Sequence, residues 1–446
     1  MDNKKVVDVG EVIDSARFFP VPFSIAIMMI VIMLTDGFDL GTMGRVATPL
    51  SGEFGDGALN PINTAGLAGM AIGSVFMGWL GDRIGRKRSY IACVALLFVG
   101  SLLCYYAQNL TQLWLFRGLT GLGLGGVTPL AATLMSEWAP KRVRSIAVAA
   151  VVVAVPLGAA LAGPVERIIV PEHGWRSMFL VGAIAPLALF AIFAFLLPES
   201  PKYMVRHPSQ HARLARALNR LVGEKRYDGT EQFVVQEGGG RSSNWLATIW
   251  NKQYAMATLF IWIAFSVNSF VLYVFTNYLQ RILGRAQLPG EVASNAADLF
   301  FYGAFFGSIG GAALIGMFGS RVVGTGLALL GVGSAAALGI VLAPDMAPAT
   351  LLVLCLLAGM AVNGMQAFMY AVAANAYPTE VRGSAVGVAQ TVSRIGAILS
   401  PTAYAYYFAE GTQPPVGPYL WFVAGCAVVT TISFFLIPRH IPAGAK

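Results

Sequence analysis

The sequence predicts an all-α integral membrane protein of twelve transmembrane helices in two six-helix bundles, with both termini cytoplasmic. Three observations carry this reading. The composition is too poor in charge for a water-facing surface, apolar runs of membrane-spanning length recur along the chain, and the chain is internally duplicated.

Of 446 residues, 56% are hydrophobic and only 12% charged, whereas soluble domains carry roughly 25% charged residues. Most of the surface therefore faces something apolar. A helix that crosses roughly 30 Å of hydrocarbon needs about 20 apolar residues. Runs of that length fall at about 22–45, 63–80, 90–107, 110–135, 146–168, 177–197, 254–279, 294–317, 322–342, 349–373, 384–407 and 418–437.

An even number of spans puts both ends on one side, and cytoplasmic loops are the ones enriched in Lys and Arg. Only Arg45, Arg167, Arg176, Arg281 and Arg285 fall in loops opposite the termini, and Arg117 and Arg394 fall inside spans; the rest of the 30 basic residues lie with the termini. The formal charge of +8 is explained by this asymmetry and does not call for nucleic acid. The N-terminus lacks the short apolar core and cleavage site of a signal peptide, so none is expected.

The duplication appears at one ungapped offset of 238 residues. GWLGDRIGRKR from Gly78 aligns with GMFGSRVVG from Gly316, placing Gly81 on Gly319 and Arg83 on Arg321. SEWAPKRVRS from Ser136 aligns with ANAYPTEVRG from Ala374, placing Pro140 on Pro378 and Arg144 on Arg382. Gly69, Gly73, Gly121 and Gly126 fall on Gly307, Gly311, Gly359 and Gly364. Six spans per copy give both halves one orientation, so they are expected to rock about a shared central cavity. The expected organisation is a first bundle at 1–197, a cytoplasmic linker at 198–253 and a second bundle at 254–446. In the linker, Leu214, Leu218 and Leu221 recur at helical spacing, and a Gly238-Gly239-Gly240 triplet follows.

Chemistry is expected where charge sits deep in a span, because each such group costs at least about 2.5–3.5 kcal/mol to insert. Asp36 and Asp39, in TDGFDLG, lie near and just past the middle of the first span and share a helix face. Two carboxylates so close in low dielectric raise each other's pKa, as a proton carrier requires. A cap on a local helix break and a folding ion pair are the structural alternative. The four histidines, His173, His207, His211 and His440, fall in predicted loops or tails and do not compete for this role.

Arg117 matches the depth of Asp39 to within roughly one turn, so either it pairs with Asp39 or it faces the cavity and holds an anionic substrate. Arg394, near the middle of the eleventh span, has no acid at its depth in the second half. Its planar fork suits a substrate carboxylate; backbone carbonyls or the Asp36/Asp39 pair are the alternatives. Tyr273, Asn277, Asn363 and Gln366, with Asn268, supply polar groups for a ligand at similar depth, and Phe270, Phe301, Tyr302, Phe305 and Phe368 supply aromatic faces. Asp82, Arg83 and Arg144 read as a cytoplasmic conformational latch. No Ser-His or HExxH constellation occurs in a span, which argues against an enzyme. Cys93, Cys104, Cys355 and Cys426 have no metal spacing, so no metal and no cofactor beyond the coupling proton is expected.

The loop GWLGDRIGRKR with its degraded copy GMFGSRVVG, the segment RGLTGLGLGG, and PESPKY after the sixth span resemble signatures of the major facilitator superfamily. Within it, TDGFDLG, FRGLTGLGLGGVTPLAATLMSEWAPKRVRS and SRIGAILSP are similar to the aromatic acid:proton symporters, the protocatechuate and 4-hydroxybenzoate carriers among them. The resemblance implies inward symport of an aromatic carboxylate with protons across a bacterial inner membrane. Separately, a monomer in membrane lipid is expected. It also implies functional roles for Asp36, Asp39, Asp82, Arg117 and Arg394. One departure is Arg45 in GRVATP, where an uninterrupted apolar turn is expected, which leaves the substrate range open to bulkier lignin-derived biaryl acids. A proton-antiport exporter is the rival reading, although VPLGAALAGPVE keeps only Gly163-Pro164 of the glycine-rich pattern typical of such antiporters.

Overall fold

The computed structural model describes residues 6–55, 57–235, 245–343, 346–409 and 414–443; the Gly238-Gly239-Gly240 triplet lies outside them. The first half contributes α1 (Val9–Ser15) and six long helices: α2 (Val21–Phe54), α3 (Leu59–Ile84), α4 (Arg86–Tyr106), α5 (Leu110–Trp138), α6 (Arg144–His173) and α7 (Ser177–Leu196). The short helices α8 (Pro201–Arg206), α9 (His211–Val222) and α10 (Trp245–Ile249) follow. The second half is α11 (Ala255–Arg285), α12 (Gly290–Val341), α13 (Pro348–Ala376), α14 (Thr379–Tyr407) and α15 (Val416–Phe435). Among the described residues, ten helical stretches are long and apolar enough to cross a membrane.

α12 is two helices joined at a bend on Gly319, whose φ of 76° only glycine adopts readily. In the first half the matching bend, between α3 and α4, falls on Gly85 at φ 103°. The sequence repeat pairs Gly319 with Gly81, which is helical, so the two copies turn one helical turn apart. Val323 stands where Gly85 would repeat, and a β-branched residue strongly disfavours positive φ, so the bend falls instead on Gly319, four residues earlier.

Two of the four shared glycine pairs, Gly69 with Gly307 and Gly121 with Gly359, do the same packing work in both halves. A Cβ on Gly69 would lie 2.3 Å from the Gly118 carbonyl oxygen, and one on its counterpart Gly307 would lie 2.2 Å from that of Met360. A Cβ on Gly121 would meet the Gly66 oxygen at 2.1 Å, and one on Gly359 the Phe300 oxygen at 1.9 Å. α3 and α5, and likewise the first arm of α12 and α13, are thus in backbone-to-backbone contact, which only small residues permit.

The N-terminal strand β1 (Val6–Asp8) pairs in parallel with β2 (Gln232–Val234) of the linker, a contact not foreseen from the sequence. α9 covers the expected linker helix and buries Leu214, Leu218 and Leu221 against the first half. The strands, the linker and the C-terminal tail, whose Ile441 bonds Ser320, share one face of the molecule, termed the terminal face below. The halves meet through α2 with α11, α3 with α14, and α6 with α12.

Candidate functional site

A cavity of about 180 Å³ lies between the halves at mid-height. A single water needs only about 10–15 Å³, so the space suits a molecule. Asp36, Thr128, Tyr273, Asn363, Gln366 and Arg394 are among its polar groups, and Leu40, Pro156, Leu272 and Phe301 are among its apolar walls.

Asp36 is buried and accepts a hydrogen bond on Oδ2 from Thr128 Oγ1 at 3.0 Å; its Oδ1 has no partner among the described residues. Asp39, one helical turn on, is held differently. Both of its oxygens take bonds from Arg117, Nη1 to Oδ1 at 2.6 Å and Nη2 to Oδ2 at 2.9 Å. This bidentate pair, buried on both sides, is the geometry in which a guanidinium and a carboxylate best offset each other's desolvation. Arg117 and Asp39 line a smaller recess beside the main cavity, together with Asn277.

Arg394 comes from α14 and donates from Nη1 to the Tyr273 hydroxyl at 2.8 Å, while its Nε has no partner among the described residues. Asp36 and Arg394 attract each other across the cavity without forming an ion pair. Gln366 accepts from Asn268 Nδ2 at 2.8 Å, and Asn363 lies one turn above it on α13. Of the expected aromatic residues, Phe301 reaches the cavity; Phe270 packs on Phe422, Phe305 on Phe306 and Phe368 on Phe434. Thr128 and Tyr370 line the cavity but were not singled out from the sequence.

The three residues expected to act as a latch do not touch one another. Asp82 pairs with Arg86 at 3.4 Å, Arg83 lies over the Trp79 ring, and Arg144 pairs with Asp14 at 2.7 Å.

Arg45 requires a correction. The reading of the sequence ended the first span there and left the arginine in a loop, but α2 continues to Phe54 and buries it. Its Nη1 donates to Ser294 Oγ at 2.7 Å and to Glu166 Oε2 at 3.2 Å, and its Nη2 bonds Asp298. Arg167 reaches the same carboxylate at 2.8 Å. The cluster joins α2 and α6 of one half to the start of α12 in the other, on the face away from the termini. Gly163 makes room for it, since a Cβ there would fall 1.9 Å from Asp298 Oδ1. Asn60 and Asn63 bond Tyr278 across the halves at the same end. These contacts join the two halves at the far face, and the residues that line the cavity lie at mid-height and toward the terminal face.

A family model described as Major Facilitator Superfamily matches residues 22–401. The chain is 31% identical to the 4-hydroxybenzoate transporter PcaK of Acinetobacter baylyi over 88% of its own length and 86% of that protein. It is also 31% identical to the gallate transporter of Pseudomonas putida, over 88% and 87% of the two chains. Among solved structures, a D-xylose–proton symporter superposes with a TM-score of 0.71 at 16% identity, covering 95% of this chain and 99% of that one.

Proposed function

The chain belongs to the major facilitator superfamily and is a multi-pass transporter of the bacterial inner membrane, not an enzyme; from that premise we propose that it imports aromatic carboxylates together with protons by alternating access. In this reading the two arms of α12 count separately. The long helices then make twelve spans, the terminal face is cytoplasmic, and the bonds that join the halves at the far face support an inward-facing state.

The observation that carries the proposal is the contrast on one helix face between Asp39, whose oxygens are both taken, and Asp36, which keeps Oδ1 open beside the cavity that Arg394 also lines. A proton can join Asp36 at Oδ1 without breaking an existing bond. A substrate carboxylate can displace the Tyr273 hydroxyl from Arg394 and take the fork bidentately. Gln366, Asn363 and Tyr273 then remain to orient the ring substituents, with Phe301 against its face. The kinship with carriers named for 4-hydroxybenzoate and gallate supports an aromatic acid as the cargo.

Coupling follows from charge. Carrying one uncompensated charge through about 100 mV costs about 2.3 kcal/mol, so the halves close most readily when Asp36 is protonated and Arg394 is neutralised by substrate. One proton per monovalent anion makes the cycle electroneutral. Arg117 occupies both oxygens of Asp39, and so acts on the site by holding α2 and α5 together.

The test is uptake of labelled 4-hydroxybenzoate into proteoliposomes, with the outside made acidic. Accumulation above equilibrium that collapses with a protonophore is expected; uptake that ignores the pH gradient would remove the proton from the cycle. Efflux driven by the same gradient would instead favour the exporter.

A further inference from the structure

On the terminal face, away from the transport cavity, a recess of about 470 Å³ opens between the start of α4, the end of α7 and helix α9. Its cationic side is formed by Lys87, Arg213, Arg216 and Arg220. Among the described residues none of the four takes part in an ion pair. Among the described residues Arg213 hydrogen-bonds Gln210, at 3.4 Å, and Arg216 the Ala212 carbonyl, at 3.2 Å. Lys87 feels the attraction of Glu199 first and the repulsion of Arg213 second.

One carboxylate, Glu199, faces the recess, and its Oε1 is occupied by the backbone N–H groups of Lys87 and Ser200, at 2.9 and 2.8 Å. The opposite wall is apolar and is the end of a spanning helix, where Phe195 is 86% and Leu196 68% exposed. The buried leucines of α9 fasten its arginines to the protein, so three of the cations are held on one short helix, with Glu199 as the one carboxylate that faces them in the recess.

Like charges gathered beside lipid-facing side chains, at the level where a membrane helix ends, match a molecule with an anionic head and an apolar body. We propose that this recess binds the phosphate group of an anionic phospholipid, with the acyl chains lying along Phe195 and Leu196. Free inorganic phosphate offers the same head chemistry but would leave the apolar wall unused.

The test places the full chain in phosphatidylcholine nanodiscs with increasing phosphatidylglycerol and counts tightly held phosphatidylglycerol by native mass spectrometry. The R213Q/R216Q/R220Q variant keeps the side-chain stems; the K141A/R142A/R226A variant removes as many exposed cations elsewhere on the same face. Each cation near an anionic surface contributes a factor of about five, so the first variant is expected to hold the lipid roughly a hundredfold more weakly while the second holds it as the parent does. Equal losses in both variants would overturn the proposal in favour of diffuse surface charge. Inorganic phosphate that displaces the lipid at matched concentration would overturn it in favour of a phosphate-ion site. Should the triple glutamine variant not fold, a phosphatidylglycerol with a photoactivatable acyl chain is to be cross-linked to the parent protein. Labels on 194–197 support the site, and labels confined to other helices refute it.

Discussion

Two arginines sit in the middle of this molecule in opposite situations. Arg117 is closed: both terminal nitrogens are spent on Asp39, and the pair lies in a small recess walled by glycine-rich helices. Arg394 is open: its guanidinium holds one phenol hydroxyl through a single terminal nitrogen, and it faces a cavity across which Asp36 stands with one oxygen unbonded among the described residues. The difference teaches that burial of a charge in a membrane helix does not by itself mark a moving part. What separates scaffold from site is whether the partner charge is in contact or merely in view.

The comparison can be broken most directly at the carboxylates. Asp36→Asn is expected to abolish proton-driven accumulation altogether while leaving exchange of labelled for unlabelled acid across the same liposomes; retained accumulation would move the coupling elsewhere. Asp39→Asn, by contrast, strands Arg117 as a buried charge and is expected to cost about 3–5 kcal/mol of stability. Adding Arg117→Met should recover most of that loss in a thermal unfolding assay in detergent, and no recovery would show that the pair is not mainly structural.

Smaller changes sharpen it on the other side. Arg394→Lys keeps the charge and loses the fork, so KM for the carboxylate should rise by about tenfold with little change in unfolding temperature. Arg117→Lys should show the reverse pattern. Tyr273→Phe removes one hydrogen bond of about 1 kcal/mol and is expected to shift KM only a few-fold, toward tighter binding if the hydroxyl competes with substrate for Arg394 and toward weaker binding if it touches the substrate itself.

The charged part of this arrangement was legible in the sequence because apolar runs make every interruption visible. Asp36, Asp39, Arg117 and Arg394 stand out on that ground alone, and matching depths drew Arg117 to Asp39. The same rule misplaced Arg45. A cation was used to end the first span, whereas the helix runs on for more than two turns because Glu166, Asp298 and Ser294 from other elements satisfy the guanidinium. Partners that distant in sequence leave no local signal. Thr128 escaped notice for a different reason: a hydroxyl is cheap in a helix, and only the fold shows that it faces Asp36. The Gly163-Pro164 pair, weighed as a remnant of an exporter pattern, has a local task in seating Asp298.

The glycine contacts of α3 with α5, and of α12 with α13, also have a mechanical meaning. Two helices whose backbones touch have no side chains between them to re-rotate, and so no compliant layer to absorb a push. Each such pair behaves as a stiff beam, and because the duplication supplies one to each half, the molecule carries two matched levers. A small displacement begun at mid-height reaches the far end of a beam with little loss, and the Arg45 cluster lies at that end.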